Sequence, residues 1–259
     1  MITDTNKVNK MDGALPSRLK KEPLVDVLFE LRFSSNASFS DIVPGVFHTQ
    51  LNGTKEIKRL PHSDLPKSIR DNDPNLQHSP LITVLWENYT IGIGDRILSI
   101  NCNIPYPGWK QFRSTILDIL RIIDGLKIID SISRCSLKYV DLIEGESIKD
   151  QLSKTTLTIS LDEKEISEGH TTLRVELPDN DLINIINIVT SARAKFHDNT
   201  LRAGVIVDVD TVKIFENHDN ESWLQTLNDV INEIHESNKR TFFSCLTKPT
   251  VTSLDPVYD

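Results

Sequence analysis

Several things that would announce a function are scarce or missing in this chain of 259 residues. It has three cysteines, Cys102, Cys135 and Cys245, widely spaced and odd in number. That rules out a disulfide framework and a cysteine zinc site, and leaves reduced thiols, two of them in expected strands as small core residues. No apolar run approaches the roughly 20 residues that cross a bilayer as a helix. Glycine is sparse, at ten residues, and never gathers into a phosphate-cradling loop. Gly92-Ile-Gly94 lacks the third glycine and the following helix of a dinucleotide fingerprint, and reads as turn chemistry. There is no Gly-x-Ser-x-Gly elbow and no kinase signature set. His235-Glu236 has no second histidine at zincin spacing, and His48, His62, His78, His170, His197 and His218 are scattered. Basic excess is missing too. The chain has 29 Lys and Arg against 37 Asp and Glu, a net charge of -8, which disfavours a protein that coats nucleic acid. No metal or other cofactor is implied. Met1 to Lys10 are polar and lack the apolar stretch of a signal peptide, so the expectation is a cytoplasmic protein with no membrane segment.

What is present is alternation. In Leu24 to Phe33, Val25, Val27, Phe29, Leu31 and Phe33 fall on one face of an extended strand, and Asp26, Leu28, Glu30 and Arg32 on the other. A period of two marks a half-buried strand. Leu81–Glu87, Tyr89–Ile93 and Ile97–Asn103 follow as a meander turned at Gly94-Asp95, and Arg134–Ile143 is a further strand. Thr155–Leu161, Leu173–Leu177 and Leu201–Asp210 alternate again, and the β-branched run Ile183–Thr190 reads as a strand. Phe112, Ile116, Leu117, Ile119, Leu120 and Ile123 form a helical stripe that ends near Gly125. Trp223, Leu227, Val230, Ile231, Ile234, Phe242 and Leu246 form another, with Ser222 as candidate N-cap and Pro249 as its stop. Residues 38–51 have helical spacing interrupted by Pro44-Gly45, which predicts a short or broken helix; residues 52–79 read as a long loop.

The expected fold class is α+β: a curved antiparallel sheet, or two related sheets, with two long helices packed on the apolar face. Residues 1–22 read as a flexible tail. Residues 23–259 read as a single domain, with a possible internal duplication whose halves divide near 145–155.

Four strands bring charges to one face: Glu30 and Arg32, Arg134 and Lys138, Arg174 and Glu176, Asp208 and Asp210. If the strands are neighbours, these residues converge. One reading is a pocket for a charged or phosphorylated ligand, with the arginines as clamps; the other is a solvated face of cross-strand ion pairs. Asp208 and Asp210 could also hold a divalent cation, although Asp-x-Asp is a weak signal. Tyr106, Trp109 and Phe112 are candidates for an aromatic platform under a base, or else staple a helix start onto the sheet.

The segments Pro23–Phe33, Tyr106-Pro-Gly-Trp109 with Phe112, Leu137-Lys-Tyr-Val-Asp141, and the closing helix with His235 and Phe242 resemble, together, a sporadically distributed, uncharacterised bacterial family of conserved hypothetical proteins. The resemblance spans about Pro23 to Leu246 and implies a cytoplasmic protein of about this length, with no established reaction. Patchy distribution points to mobile gene islands, where defence modules and toxin–antitoxin pairs collect. The expected function is therefore a non-enzymatic binding protein acting with a neighbouring gene product, with a homo-oligomer possible. The alternative is a nucleotide or phosphate-ligand sensor, or a metal-dependent enzyme, using the charged sheet face.

Overall fold

The computed structural model describes residues 14–162, 164–196, 198–216 and 223–258. Its centre is a nine-stranded, wholly antiparallel sheet. A two-residue strand β1 (Arg18–Leu19) precedes β2 (Leu24–Ser35), α1 (Phe39–Gln50), β3 (Lys55–Arg59), a 3-10 turn (Pro61–Asp64) and α2 (Lys67–Asn72). The meander β4 (Ile82–Trp86), β5 (Tyr89–Ile93) and β6 (Ile97–Cys102) leads to α3 (Trp109–Asp124). Then come β7 (Ile129–Glu144), α4 (Ile148–Ser153), the small pair β8 (Ser160–Leu161) and β9 (Lys164–Glu165), and the long strands β10 (Thr172–Asp179), β11 (Leu182–Lys195) and β12 (Leu201–Ile214). The chain closes with α5 (Trp223–Ser244), α6 (Lys248–Ser253) and β13 (Pro256–Val257).

The strand order is β10-β11-β12-β7-β2-β6-β5-β4-β3. Thus β2 and β7 lie side by side at the centre. Each has on its other flank the last strand before a long helix: β6, followed by α3, and β12, followed by α5. The alternation in β2 is realised. Val27, Phe29, Leu31 and Phe33 are buried against α1, α3 and α5, while Asp26, Leu28, Glu30 and Arg32 line the opposite face. Val25 departs from that reading. The register shifts between Leu24 and Asp26, so Leu24 takes the buried position. The expected stripes of α3 and α5 are buried as read; Leu246 is buried too, but lies beyond the end of α5. The candidate cap Ser222 lies outside the described residues.

Four expectations need correction. Among the described residues three helices, not two, exceed six residues: α1, α3 and α5, with 12, 16 and 22 residues. Pro44 does not break α1, because Phe39, Val43 and Phe47 on its inner face are fully buried and offset the lost hydrogen bond. The loop expected at 52–79 contains β3 and α2. Strand β3 (Lys-Glu-Ile-Lys-Arg) needs no apolar face, since it is an exposed edge held by backbone pairing to β4, and charge on an edge discourages further pairing. Arg70 in α2 donates to the Leu65 carbonyl and, at 2.8 Å, to Asp95. Of the strand expected at 155–161, only Ser160–Leu161 forms, in a pair with β9.

Residues 17–21, expected in the tail, run antiparallel to residues 254–257. Ser17, Lys20 and Lys21 donate backbone N–H groups to the carbonyls of Val257, Asp255 and Leu254 at 2.8, 3.1 and 3.2 Å. Leu15 and Leu19 pack on the apolar cluster formed by β7, β11, β12 and the end of α5. This strap, with β13, closes one end of the helix-covered side.

Candidate functional site

The charged face converges over three adjacent strands. Register sets Arg32 opposite Arg134, Lys138 opposite Asp210 and Lys138 opposite Leu28. Arg134 is the keystone: one arm of its guanidinium donates to Glu30 Oε1 and the other to Asp210 Oδ2 at 2.9 Å. Arg32 Nε donates to Glu30 Oε1 at 2.7 Å, and Lys138 Nζ reaches Asp208 Oδ2 at 2.9 Å. Asn187 and Asn101 donate to Asp208 and Asp26 at 3.1 and 2.5 Å. Arg174 and Glu176 do not join. They sit on the outer strand β10, with β11 between them and β12, and pair with each other at 2.8 Å with 54% and 56% of their side chains exposed.

This geometry narrows the chemistry. In the ladder every cation already faces a carboxylate, and of its two arginines only Arg32, bonded to Glu30 through Nε alone, keeps N–H groups for a phosphate. Asp208 and Asp210, the candidate metal pair, have Lys138 and Arg134 standing where a divalent cation would be. Between the ion pairs, Leu28, Val140, Ile185 and Ile206 are half-buried on the same face. His78 borders the ladder. Its pKa is lowered, first by burial and then by Arg32 and other nearby arginines.

The aromatic trio turns inward. Phe112 is fully buried. The Tyr106 and Tyr139 hydroxyls share a hydrogen bond of 2.9 Å, and Trp109 lies flat on His235, ring centroids 4.1 Å apart and planes 2° off parallel. As a platform for an incoming base the trio therefore fails: Phe112 has no free face and His235 already covers one face of Trp109. Their part is to fasten the start of α3 to β7 and α5.

Beside them lies a second constellation that the sequence reading missed. A cavity of about 150 Å³ is bounded by the strap, β7 and α5. Tyr106, Tyr139, Asp141, His235, Asn238 and Phe242 line it, with Leu19 of the strap, Pro16 and Glu22 flanking it, and Leu24 at the start of β2. Asp141 is 6% exposed and receives no side-chain hydrogen bond from the described protein. Burial first, then the negative charges of Glu22 and Asp208, raise its pKa well above the carboxylate range. Burial likewise pushes His235 down to about 4, against the opposing pull of Glu236. Its Nδ1 lies 3.3 Å from Glu236 Oε1 without hydrogen-bond alignment. Asn238 Nδ2 donates to the carbonyls of Leu137 and Val209 at 3.0 and 2.8 Å, anchoring α5 to the sheet. One signal was available. Leu137, Tyr139 and Asp141 alternate onto one face, and Leu137 marks that face as apolar, so Asp141 is an acid on the oily side. Pro23, Tyr106, Trp109, Tyr139, Asp141, His235 and Phe242 all meet at or beside this cavity.

Among the described residues no histidine side chain hydrogen-bonds a serine, threonine or cysteine, and no three His, Cys, Asp or Glu side chains gather as metal ligands. The three cysteines are buried, and burial raises each thiol above its usual pKa, Cys102 to about 12 and Cys245 to about 11. None is an activated thiolate. No described helix is long and apolar enough to cross a membrane. No protein-family model matches this chain, and no curated protein matches it.

Proposed function

We propose that the protein is a non-enzymatic binding protein that receives a protein partner on the open face of its sheet. The observation that carries this reading is the asymmetry of the sheet. The long helices α1, α3 and α5 all pack on one side, while the other bears the ladder and is crossed at β5 and β6 by the segment before β4, where Pro80 packs over Gly92 and Ser99 and Ile97 is buried. Over β2, β7, β12, β11 and β10, five strands at ~4.8 Å spacing give a face about 20 Å across, and at ~3.3 Å per residue the 14 residues of β11 and of β12 make it about 45 Å long. That is wide enough for the roughly 800 Å² that a specific interface takes from each partner. Its chemistry, half-buried Leu28, Val140, Ile185 and Ile206 between ion pairs that neutralise one another, suits a protein surface. A nucleic acid would want uncompensated cations, and so would a phosphorylated ligand, which leaves the sensor and metal-enzyme readings with less support. The acidic balance of the whole chain would draw a basic partner by steering.

The setting we infer is bacterial and cytoplasmic, with the partner encoded nearby in a defence or toxin–antitoxin locus. The order of elements supports an internal duplication. Each half runs strand, helix, meander and long helix, and the two first strands β2 and β7 meet at the centre, an order that favours a division before β7 over one at 145–155.

The test is native mass spectrometry of the tagged protein isolated gently from its host with its gene neighbours present. A stoichiometric protein partner is expected. It should be lost in the double variant Leu28→Glu, Ile185→Glu while the melting temperature is kept. A protein that remains alone, or a complex indifferent to these substitutions, sinks the proposal.

A further inference from the structure

The cavity under the strap is on the opposite side of the sheet from the proposed partner surface and is independent of that reading. Among the described residues, the Asp141 carboxyl, Asn238 Oδ1 and His235 Nδ1 line it without a protein hydrogen bond; the Asn238 amide nitrogen is engaged by two backbone carbonyls. An ionised carboxylate and an amide oxygen only accept, and a neutral imidazole with its proton on Nε2 accepts at Nδ1. Around them stand aromatic rings, Tyr106, Tyr139 and Phe242, whose faces are negative. Two cations also line the cavity. Arg18 is largely exposed and lies 3.9 Å from Glu22, and Lys239 is half-exposed on α5. At about 150 Å³ the space matches the size of a single six-membered ring.

We propose that this cavity binds a small organic cation, an ammonium or amidinium carried on a ring-sized apolar body, with Asp141 as its counter-charge. The cation supplies the donors that Asp141 and Asn238 lack, and the aromatic walls take its apolar body and add cation–π attraction. The strap residue Leu19 forms part of the lid. A buried acid without a partner costs stability wherever it ionises, and the raised pKa of Asp141 records that cost. A bound cation reverses it.

Calorimetric titration of the full chain at neutral pH with benzylammonium, benzyl alcohol and benzoate tests this. The three probes share a ring and differ in charge. Saturable binding of benzylammonium is expected, at least tenfold tighter than benzyl alcohol, with no binding of benzoate. Asp141→Asn should erase the preference and leave benzylammonium and benzyl alcohol equal. Leu19→Trp, which fills the cavity from the strap without touching the sheet, should abolish binding of both and keeps the test valid if the Asn variant fails to fold. The proposal is overturned if no probe saturates, if benzyl alcohol or benzoate binds as well as benzylammonium, if Asp141→Asn keeps the preference, or if folded Leu19→Trp still binds.

Discussion

The two faces of the central sheet treat buried acids in opposite ways. On the open face, Glu30, Asp208 and Asp210 are mostly buried and each meets a cation across or along the strands. On the helix-covered face, Asp141 is still more deeply buried and meets none among the described residues. In the first arrangement the desolvation of each charge is offset by a paired cation, although Asp208 Oδ1 and Asp210 Oδ1 are buried without a hydrogen bond, and the net contribution to stability stays modest. The second is a standing cost. A protein that arranges its acids so carefully on one side and leaves one unpaired on the other is showing a structural ladder and a site. The comparison inverts the sequence-level expectation, in which the charged face held the candidate site and the apolar face only the core.

The comparison breaks most severely at Arg134. It bridges two carboxylates with only 17% of its side chain exposed. Arg134→Met strands Glu30 and Asp210 with a shared loss, and the expected cost is about 3–5 kcal/mol, seen as a thermal midpoint lower by about 10 °C. The triple variant Glu30→Gln, Arg134→Met, Asp210→Asn should recover most of that. If Arg134→Met melts like the parent, the ladder is not structural and its arginine becomes available for a ligand after all.

His235 carries the next largest effect. In the fold it titrates at about 4, and unfolded at its ordinary 6.5. Its contribution is therefore complete above pH 6.5 and drains away as the pH falls towards 4. The loss approaches roughly 3 kcal/mol. Chemical denaturation at pH 7, 5.5 and 4.5 should show this limb in the parent and a flatter one in His235→Gln, measured as the difference between the two so that other titrating groups cancel. Equal limbs would mean that the ring is not held neutral against Trp109.

Much of this fold is legible in the sequence, because period-two and 3.6-period patterns survive wherever one face is buried. That is why β2, the meander β4–β6, the helices α3 and α5, and β11 were all readable. Legibility ends where backbone pairing or a distant contact decides. Strand β3 has no apolar face to betray it, α1 survives Pro44 because of Phe39, Val43 and Phe47, and residues 17–21 are ordered by a C-terminus more than 230 positions away. The candidate site was half legible. Alternation placed the ladder residues on one face but could not say that they would neutralise each other. Nor could it say that Arg174 and Glu176 would sit beyond β11. The cavity draws on the strap, β7, α5 and the loop before α3, and no local pattern joins those.

Asp141→Asn sharpens the contrast from the other side. The carboxyl is harder to ionise in the fold than in the unfolded chain, so its ionisation opposes folding from about pH 4 upward and is silent below that. The variant should be more stable than the parent by about 1–3 kcal/mol at pH 8, with the difference vanishing near pH 4. A variant less stable at pH 8 would show that Asp141 has found a partner in the fold and is structural after all.

The smallest expected effect is at Arg174 and Glu176, and it isolates what position on the sheet contributes. The pair has the same residue types, the same two-residue spacing on one strand and nearly the same distance as Arg32 and Glu30, 2.8 Å against 2.7 Å. The difference is exposure: more than half of each side chain on β10 is in water, while Glu30 is only 16% exposed and shared with Arg134. Water and salt screen the outer pair, so a double-mutant cycle through Arg174→Ala and Glu176→Ala should give a coupling of about 0–1 kcal/mol that fades in 1 M salt. The same cycle through Arg134 and Glu30 should give a clearly larger value that persists in salt. Equal couplings would mean that the ladder is no more than a solvated face, and that its position beneath the proposed partner surface confers nothing the edge of the sheet lacks.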